Sequence, residues 1–440
     1  MKIFKKLLLL MLIIMCGILT SCSSNSVTPS NSDDDTNNGY KNNKYLVAEE
    51  EASFYFFWEQ QRTNPNLKNC GLIPDRYPNN GLASIASVGF GLAAFLAGVE
   101  NNWITFDQGY ERAKLTLEHI KDLDRVHGFY YHFYYENLGS VASGSEVSNI
   151  DTTIFIAGAL AAGEYFKGDV ERLARLIYDD IEWDWFVNKT TNNFYMSYDA
   201  STMQMKGAWD FYAEQLMMYF LAAGSSTHPI EKKVYDAFTR YTSSYKSEPF
   251  INSWYGSLFT YQFSHAFIDF RHLVDDQGIN WYQNSVNATI ANYNYCVDQS
   301  NKFITFSSKA WGITACDTPT GYSGLLGTLP SGRNSITFTN DGTVAPCGAI
   351  GSICFYPEKV MQAITNYATM LDGKLIGDYG FKDAFNFEHG IWIAGSVIGI
   401  DKGITVLMIE NYRSEIIWKT FMQLDLMDKA IQVLGFTKTK

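Results

Sequence analysis

The chain is 440 residues long, 46% hydrophobic and 15% aromatic, with 34 Lys and Arg against 46 Asp and Glu, a formal net charge of −12. That sign argues against a nucleic-acid binder, which must neutralise phosphates, while the length allows a core larger than that of a typical domain. Cysteines without a CxxC spacing argue against a disulfide framework. Histidines without HExxH or a paired-cysteine spacing argue against zinc, so no metal and no cofactor are expected.

The first residues have the layout of an export signal. Lys2, Lys5 and Lys6 precede an apolar run from Leu7 to Leu19, and Leu19-Thr-Ser-Cys22 follows. A cysteine at the cut point marks a bacterial lipoprotein, so residues 1–21 are expected to be removed and Cys22 lipidated. The run is short for a membrane span, which needs about 20 apolar residues; the mature protein is then anchored at the cell envelope without spanning it. Residues 22–43 are Ser, Asn, Asp and Gly almost throughout. Such a composition buries too little apolar surface to fold and suits a flexible spacer. No Pro/Gly/Ser linker divides residues 44–440, which read as one domain.

Two kinds of helical segment alternate along that domain. Thr105 to Asp122 is amphipathic, with Phe106, Tyr110, Ala113, Leu117 and Ile120 on one face and a Thr105–Gln108 capping box at its start. Segments 45–60, 170–183, 230–243, 279–297, 357–371 and 404–421 carry a similar polar face. Segments 84–99, 151–166, 211–223, 346–355 and 390–400, with a weaker 256–268, are apolar nearly all round and must be buried. About six rounds of exposed and buried helix predict an all-α toroid, an (α/α)6 barrel. Gly89-x-Gly91-x-x-Ala94 superficially matches a dinucleotide fingerprint, but no strand precedes it, and close helix packing explains it better. The connections 127–150, 187–208 and 299–345 are long and aromatic-rich, and are expected to form the rim of a cleft at one end.

Several carboxylates stand at the mouths of buried segments. Asp151 opens one, where an N-cap would explain it equally well. Glu214 lies among Trp209, Tyr212 and Met217, one turn into another, where apolar neighbours should raise its pKa as a general acid requires. Asp383 precedes segment 390–400, and Asp317 lies in the longest loop, where an Asx-turn before Pro319 would also account for it. Trp209, Tyr212, Trp311, Tyr322, Tyr379 and Phe385, with Asp317, are the expected substrate-binding residues, since aromatic faces stack on sugar rings. Acids converging on an aromatic cleft fit glycoside hydrolysis, in which one carboxyl protonates the leaving oxygen and another activates water or attacks the sugar. A glycan-binding lipoprotein would need the rings without the acids, and a polysaccharide lyase would need Tyr, His or Arg facing a uronate.

At these residues the chain resembles the glycoamylase-like family of exported bacterial proteins, some of which cleave β-1,2-glucans. The similar stretches are Tyr55-Phe-Phe-Trp58, Asp151-Thr, Glu182-Trp-Asp-Trp185, Tyr212-Ala-Glu-Gln-Leu, Thr227-His-Pro229, Trp311 to Tyr322, Tyr379 to Asn386, and Met408-Ile-Glu-Asn-Tyr-Arg413. They run collinearly over roughly residues 50–420. The resemblance implies an (α/α)6 barrel, Glu214 as the family's helix glutamate and general acid, and Asp151 and Asp383 at family acidic positions. In the β-1,2-glucan-cleaving branch the position matching Asp151 is Glu and that matching Ser148 is acidic, so this sequence departs there; Glu146 is the candidate replacement carboxylate. The expectation is an inverting hydrolase of a glucan or related oligosaccharide, monomeric and lipid-anchored.

Overall fold

The computed structural model describes residues 39–332 and 340–439. The expected leader, Cys22 and most of the spacer lie outside them. The spacer's expected end at 43 is corrected: Arg413 Nε donates to the Lys41 carbonyl at 3.0 Å and the Asn43 side chain caps the first long helix, so the folded unit already includes these residues.

The main helices are α1 (Lys44–Gln60), α2 (Ile85–Glu100), α3 (Phe106–Ile120), α4 (Asn149–Phe166), α5 (Gly168–Asp179), α6 (Leu216–Gly224) and α7 (Lys232–Asp236). They continue with α8 (Phe263–Phe267), α9 (Trp281–Asp298), α10 (Pro346–Ile350), α11 (Pro357–Thr369), α12 (Gly399–Arg413), α13 (Ile416–Phe421) and α14 (Asp425–Leu434). No helix among the described residues is long and apolar enough to cross a membrane.

Composition explains which helices go inside. From Ile85 to Gly98 every residue of α2 is buried, as is every residue of α6, because neither carries a polar stripe. By contrast α5 buries only Val170, Leu173, Ala174, Ile177 and Tyr178, and α3 begins with the expected Thr105–Gln108 capping box. Buried helices contact one another in the series α2, α4, α6, α8, α12, with α10 lying on α12 and α12 returning to α2. Outside them, α1 covers α2 and α12, and α5 covers α4. After α12, α13 turns back to touch α2, α4, α8 and α12, so it closes the ring at the C-terminal end of α12.

The closest approach in this ring uses two glycines. A Cβ on Gly158 would stand 1.8 Å from the Gly89 carbonyl oxygen, and one on Gly89 would stand 2.4 Å from Ile154 O. Only hydrogen side chains let α2 and α4 meet backbone to backbone, which accounts for Gly89 without a dinucleotide.

Two expected helices are corrected. Segment 390–400 is not helical: Trp392–Ile393 pairs with Phe385–Asn386, and Val397–Ile398 pairs with Arg76–Tyr77. The glycine at 390 has φ +108, outside the helical region. The buried helix lies in 404–421 instead, where an exposed polar face was expected, since α12 is buried from Asp401 to Tyr412. Its charges are paired inside: Lys402 Nζ bonds Glu49 Oε1 at 2.7 Å, and Glu410 accepts from Asn101 Nδ2 at 2.7 Å. Segment 230–243 is also shorter than its pattern, reaching only Asp236.

The long connections contain short antiparallel hairpins. Leu82–Ser84, Val147–Ser148 and Val397–Ile398 each pair with a distant strand and then run directly into α2, α4 and α12. The hairpin rim is therefore tied to the N-terminal ends of the buried helices, opposite the end α13 closes.

Candidate active site

Glu214 stands two residues before α6, in a turn and not inside the helix as its pattern implied. The reason is local. Gln215 folds back, with Nε2 donating to Phe211 O at 2.6 Å and Oε1 accepting from Ala213 N at 2.7 Å, so its amide replaces a helical turn. Ser264 Oγ then donates to Glu214 O at 2.6 Å and accepts from Met217 N at 3.0 Å, fixing the backbone beneath the acid. Burial pushes the Glu214 carboxyl up to about 7; its own backbone N–H pulls it partly back, and the Asp151 carboxylate raises it further.

Glu214 faces a cavity of about 450 Å³. Trp209 and Phe211 form one wall, Trp254, Tyr255 and Phe259 another, and Gly324 and Met196 border it. The Trp209 indole N–H donates to Asn149 Oδ1 at 3.1 Å, which ties this wall to the first residue of α4.

Asp151 lies in the first turn of α4, where the capping role belongs to Ser148. Ser148 Oγ donates to Asp151 Oδ2 at 2.5 Å, and His132 Nε2 stands 3.6 Å from Asp151 Oδ1. On the other side of the imidazole, His132 Nδ1 is 2.9 Å from Glu146 Oε1. Glu146 is thus engaged by a histidine, and that hydrogen bond holds its carboxyl below the ordinary range despite burial.

A second cluster adjoins the first. Arg76 Nη1 reaches both oxygens of Asp317 at 3.1 Å, while Arg76 Nε is 3.4 Å from Asp75 Oδ2, whose carboxylate faces His132. Asp317 N donates to Asp383 Oδ2 at 2.6 Å. Asp383 is raised well above the carboxylate range by burial first and then by its neighbour Asp401, which burial lifts to about 6. Asp383 is 4% exposed, accepts from the backbone of Asp317 and is not among the residues that line the Glu214 cavity, so the expected base role does not pass to it here. Asp151 is the carboxylate whose charge bears on Glu214.

The expected aromatic residues divide. Trp209 lines the cavity, and Tyr322 is 51% exposed on the hairpin formed by Cys316–Thr318 and Gly321–Ser323, two residues before the cavity-lining Gly324. Asp317 sits opposite Tyr322 in that hairpin. Trp311 and Phe385 are corrected to core residues, with no exposed surface. Tyr212 borders the cavity, yet its ring lies on Trp281 at 4.8 Å and 18° and presents no free face. Tyr379 packs against Phe56 and Tyr77 and donates to Glu59 Oε2 at 3.0 Å, so it too is unavailable to a sugar. Sequence reasoning missed Phe211, Trp254, Tyr255, Phe259, His132, Arg76 and Asp401. A run of aromatics at 254–259 was the available signal for the second wall; Arg76 had none, because Asp317 is 241 positions away, and His132 and Asp401 had none, because only the fold sets their neighbouring carboxylates against them.

The Glycoamylase family, described as putative glucoamylase, matches residues 206–425. An exo-β-1,2-glucooligosaccharide sophorohydrolase (non-reducing end) of Parabacteroides distasonis is 26% identical over 413 residues, covering 84% of this chain and 55% of that protein; the chain spans little more than half the length of this curated relative. The solved endo-β-1,2-glucanase of Chitinophaga pinensis, in complex with sophorotriose and glucose, is 26% identical with a TM-score of 0.80, covering 90% of this chain and 98% of that one. A putative glucoamylase of Bacteroides uniformis gives 27% identity and a TM-score of 0.80 over 90% of this chain and 97% of that one.

Proposed function

Because the chain belongs to the Glycoamylase family, we propose that it is a glycoside hydrolase acting on β-1,2-linked glucan or its oligosaccharides, the substrates named for its Parabacteroides and Chitinophaga relatives. The observation that carries this is Glu214: a carboxyl lifted to about 7 in the wall of an aromatic cavity, with Asp151 acting on it. A general acid needs that environment, and a protein that merely holds glycans does not.

Glu214 protonates the glycosidic oxygen as the bond to the anomeric carbon breaks. Asp151 takes a proton from a water that attacks that carbon from the opposite face, inverting it. Inversion calls for a carboxyl separation of about 6.5–9.5 Å, leaving room for the water. Trp209, Trp254, Tyr255 and Tyr322 supply ring surface for the sugars, and Asp317, locked to Arg76, shapes the rim between them.

The helix order supports a six-fold α/α toroid, with α2, α4, α6, α8, α10 and α12 as its inner ring, in one domain that begins at about Lys41. The basic start, apolar run and Cys22 support export and lipid anchoring at the bacterial cell envelope. Replacement of Cys22 by Ala then moves the protein from the membrane to the soluble fraction.

The deciding experiment is incubation of the purified protein with linear β-1,2-glucan, following reducing ends and, by proton NMR, the anomer first released. Cleavage with the α-anomer appearing first is expected. Retention of wild-type rate by Glu214→Gln on a substrate with a poor leaving group sinks the assignment. Binding without release of reducing ends makes the protein a glycan binder.

A further inference from the structure

His132 lies outside the family's matched stretch and carries no assigned role, yet its ring is held on every side. Its backbone N–H donates to Glu146 O at 2.9 Å and its carbonyl accepts from Ile85 N at 3.2 Å. The imidazole stacks on Phe133, with centroids 3.7 Å apart and planes 20° apart. Nδ1 meets Glu146 Oε1 at 2.9 Å and Nε2 faces Asp151 Oδ1 at 3.6 Å. The charged groups set against it come from three elements: Asp151 from α4, Glu146 from the loop before α4, and Asp75 from the segment after α1.

We propose that His132 is a positioning residue of this site, a cation clamped between Glu146 and Asp151 that fixes the Asp151 carboxylate at the mouth of α4. The inference rests on the hydrolase reading above. Asp151 has two oxygens, and each now has a defined neighbour: Ser148 Oγ on Oδ2 and the His132 ring on Oδ1. A carboxylate with both oxygens directed has one orientation toward the water it must activate. Burial alone would push the imidazole down, but the Asp151, Glu146 and Asp75 carboxylates overcome it and lift His132 to about 9. The ring is then charged throughout the range in which a Glu214 proton is available, so Asp151 keeps a cation beside it during turnover.

A structural staple would behave differently. If His132 only fastened Glu146 to the rim, removing it would lower stability and leave kinetics unchanged. In the positioning role, His132→Gln lowers kcat on β-1,2-glucan on the order of tenfold to a hundredfold with KM nearly constant, and moves the acidic limb of kcat/KM to higher pH. His132→Arg, which keeps the charge, retains the wild-type limb. The imidazole can also be followed without activity: NMR of the whole protein should give a His132 midpoint near 9, lower in Asp151→Asn. A midpoint at the ordinary 6.5 or so, or one indifferent to Asp151→Asn, overturns the proposal even if a variant fails to fold. Wild-type protein that cleaves no glucan defeats the hydrolase reading, whereas wild-type cleavage matched by His132→Gln in kcat and pH profile defeats this inference alone.

Discussion

Arg76 and Asp317 form a two-point contact, one guanidinium nitrogen lying 3.1 Å from each carboxylate oxygen, and it joins residues 241 positions apart across the rim. The same guanidinium approaches Asp75, so one cation serves two largely buried acids. Arg76→Met leaves both without it. Removing one partner of a buried pair costs far more than the pair is worth, because the remaining charge stays desolvated. A loss of about 3 kcal/mol in urea unfolding is expected, and an unchanged midpoint would count against the buried cluster.

Glu214 sets the alkaline side of the activity profile. Its carboxyl must be protonated to donate, and burial places its pKa at about 7, so kcat/KM falls as pH rises through that value. Glu214→Gln should lower kcat on the order of 10²–10⁴-fold and remove this limb. A wild-type profile flat from pH 6 to 9 contradicts the assignment.

The Asp383–Asp401 pair controls stability with the opposite sign to an ordinary ion pair. Both folded-state pKa values are raised, Asp401 to about 6, so the native state binds more protons than the unfolded chain between pH 4 and 6. Stability therefore decreases as pH rises through that window. Asp383→Asn removes one charge from the pair and should flatten this dependence, as measured by thermal unfolding at pH 4, 5, 6 and 7.

At the glycine crossing, Gly158→Ala places a methyl 1.8 Å from the Gly89 carbonyl oxygen. No flexible side chain can yield, because the obstacle is backbone. Separation of α2 and α4 should cost about 3 kcal/mol, visible as a lower unfolding midpoint. An alanine variant as stable as wild type would show that this approach is not close.

The partly exposed Trp254 ring in the cavity wall should matter to binding more than to chemistry. Trp254→Ala is expected to raise KM for β-1,2-glucooligosaccharides several-fold with kcat nearly kept, since a stacking face held equally in ground and transition states affects only KM. A loss confined to kcat would place Trp254 at the reacting bond.

Helix existence was legible in the long apolar segments 84–99 and 151–166, because burial on all sides leaves a local signature, but not in the short segment 390–400, where an apolar run proved to be paired strands. Boundaries were less legible where a side chain imitates the backbone: Gln215 completes a turn with its amide, and the helix begins after Glu214 instead of before it. Segment 404–421 misled for another reason. Glu410, and Lys402 just before the segment, look like a solvated face in one dimension, yet their partners Asn101 and Glu49 lie more than 300 positions away. The acids at the cleft were findable because a carboxylate beside an apolar run is anomalous by itself. His132 and Arg76 were not, since a histidine or arginine in a loop is ordinary until the fold supplies its counter-charges. Trp311, Tyr379 and Phe385 show the converse: aromatic content alone cannot distinguish a ring that faces a sugar from one that fills the core.

The pairing of Glu49 with Lys402, and of Glu50 with Arg413, has a consequence for synthesis. The glutamates are made near the start of the folded region and their cations some 350 residues later. A growing chain holds two acids, destined for complete burial, with nothing to neutralise them until α12 has been translated. Ring closure is then a late event by construction, and a chain cut before Arg413 should remain open and sensitive to protease however many of its earlier helices have formed.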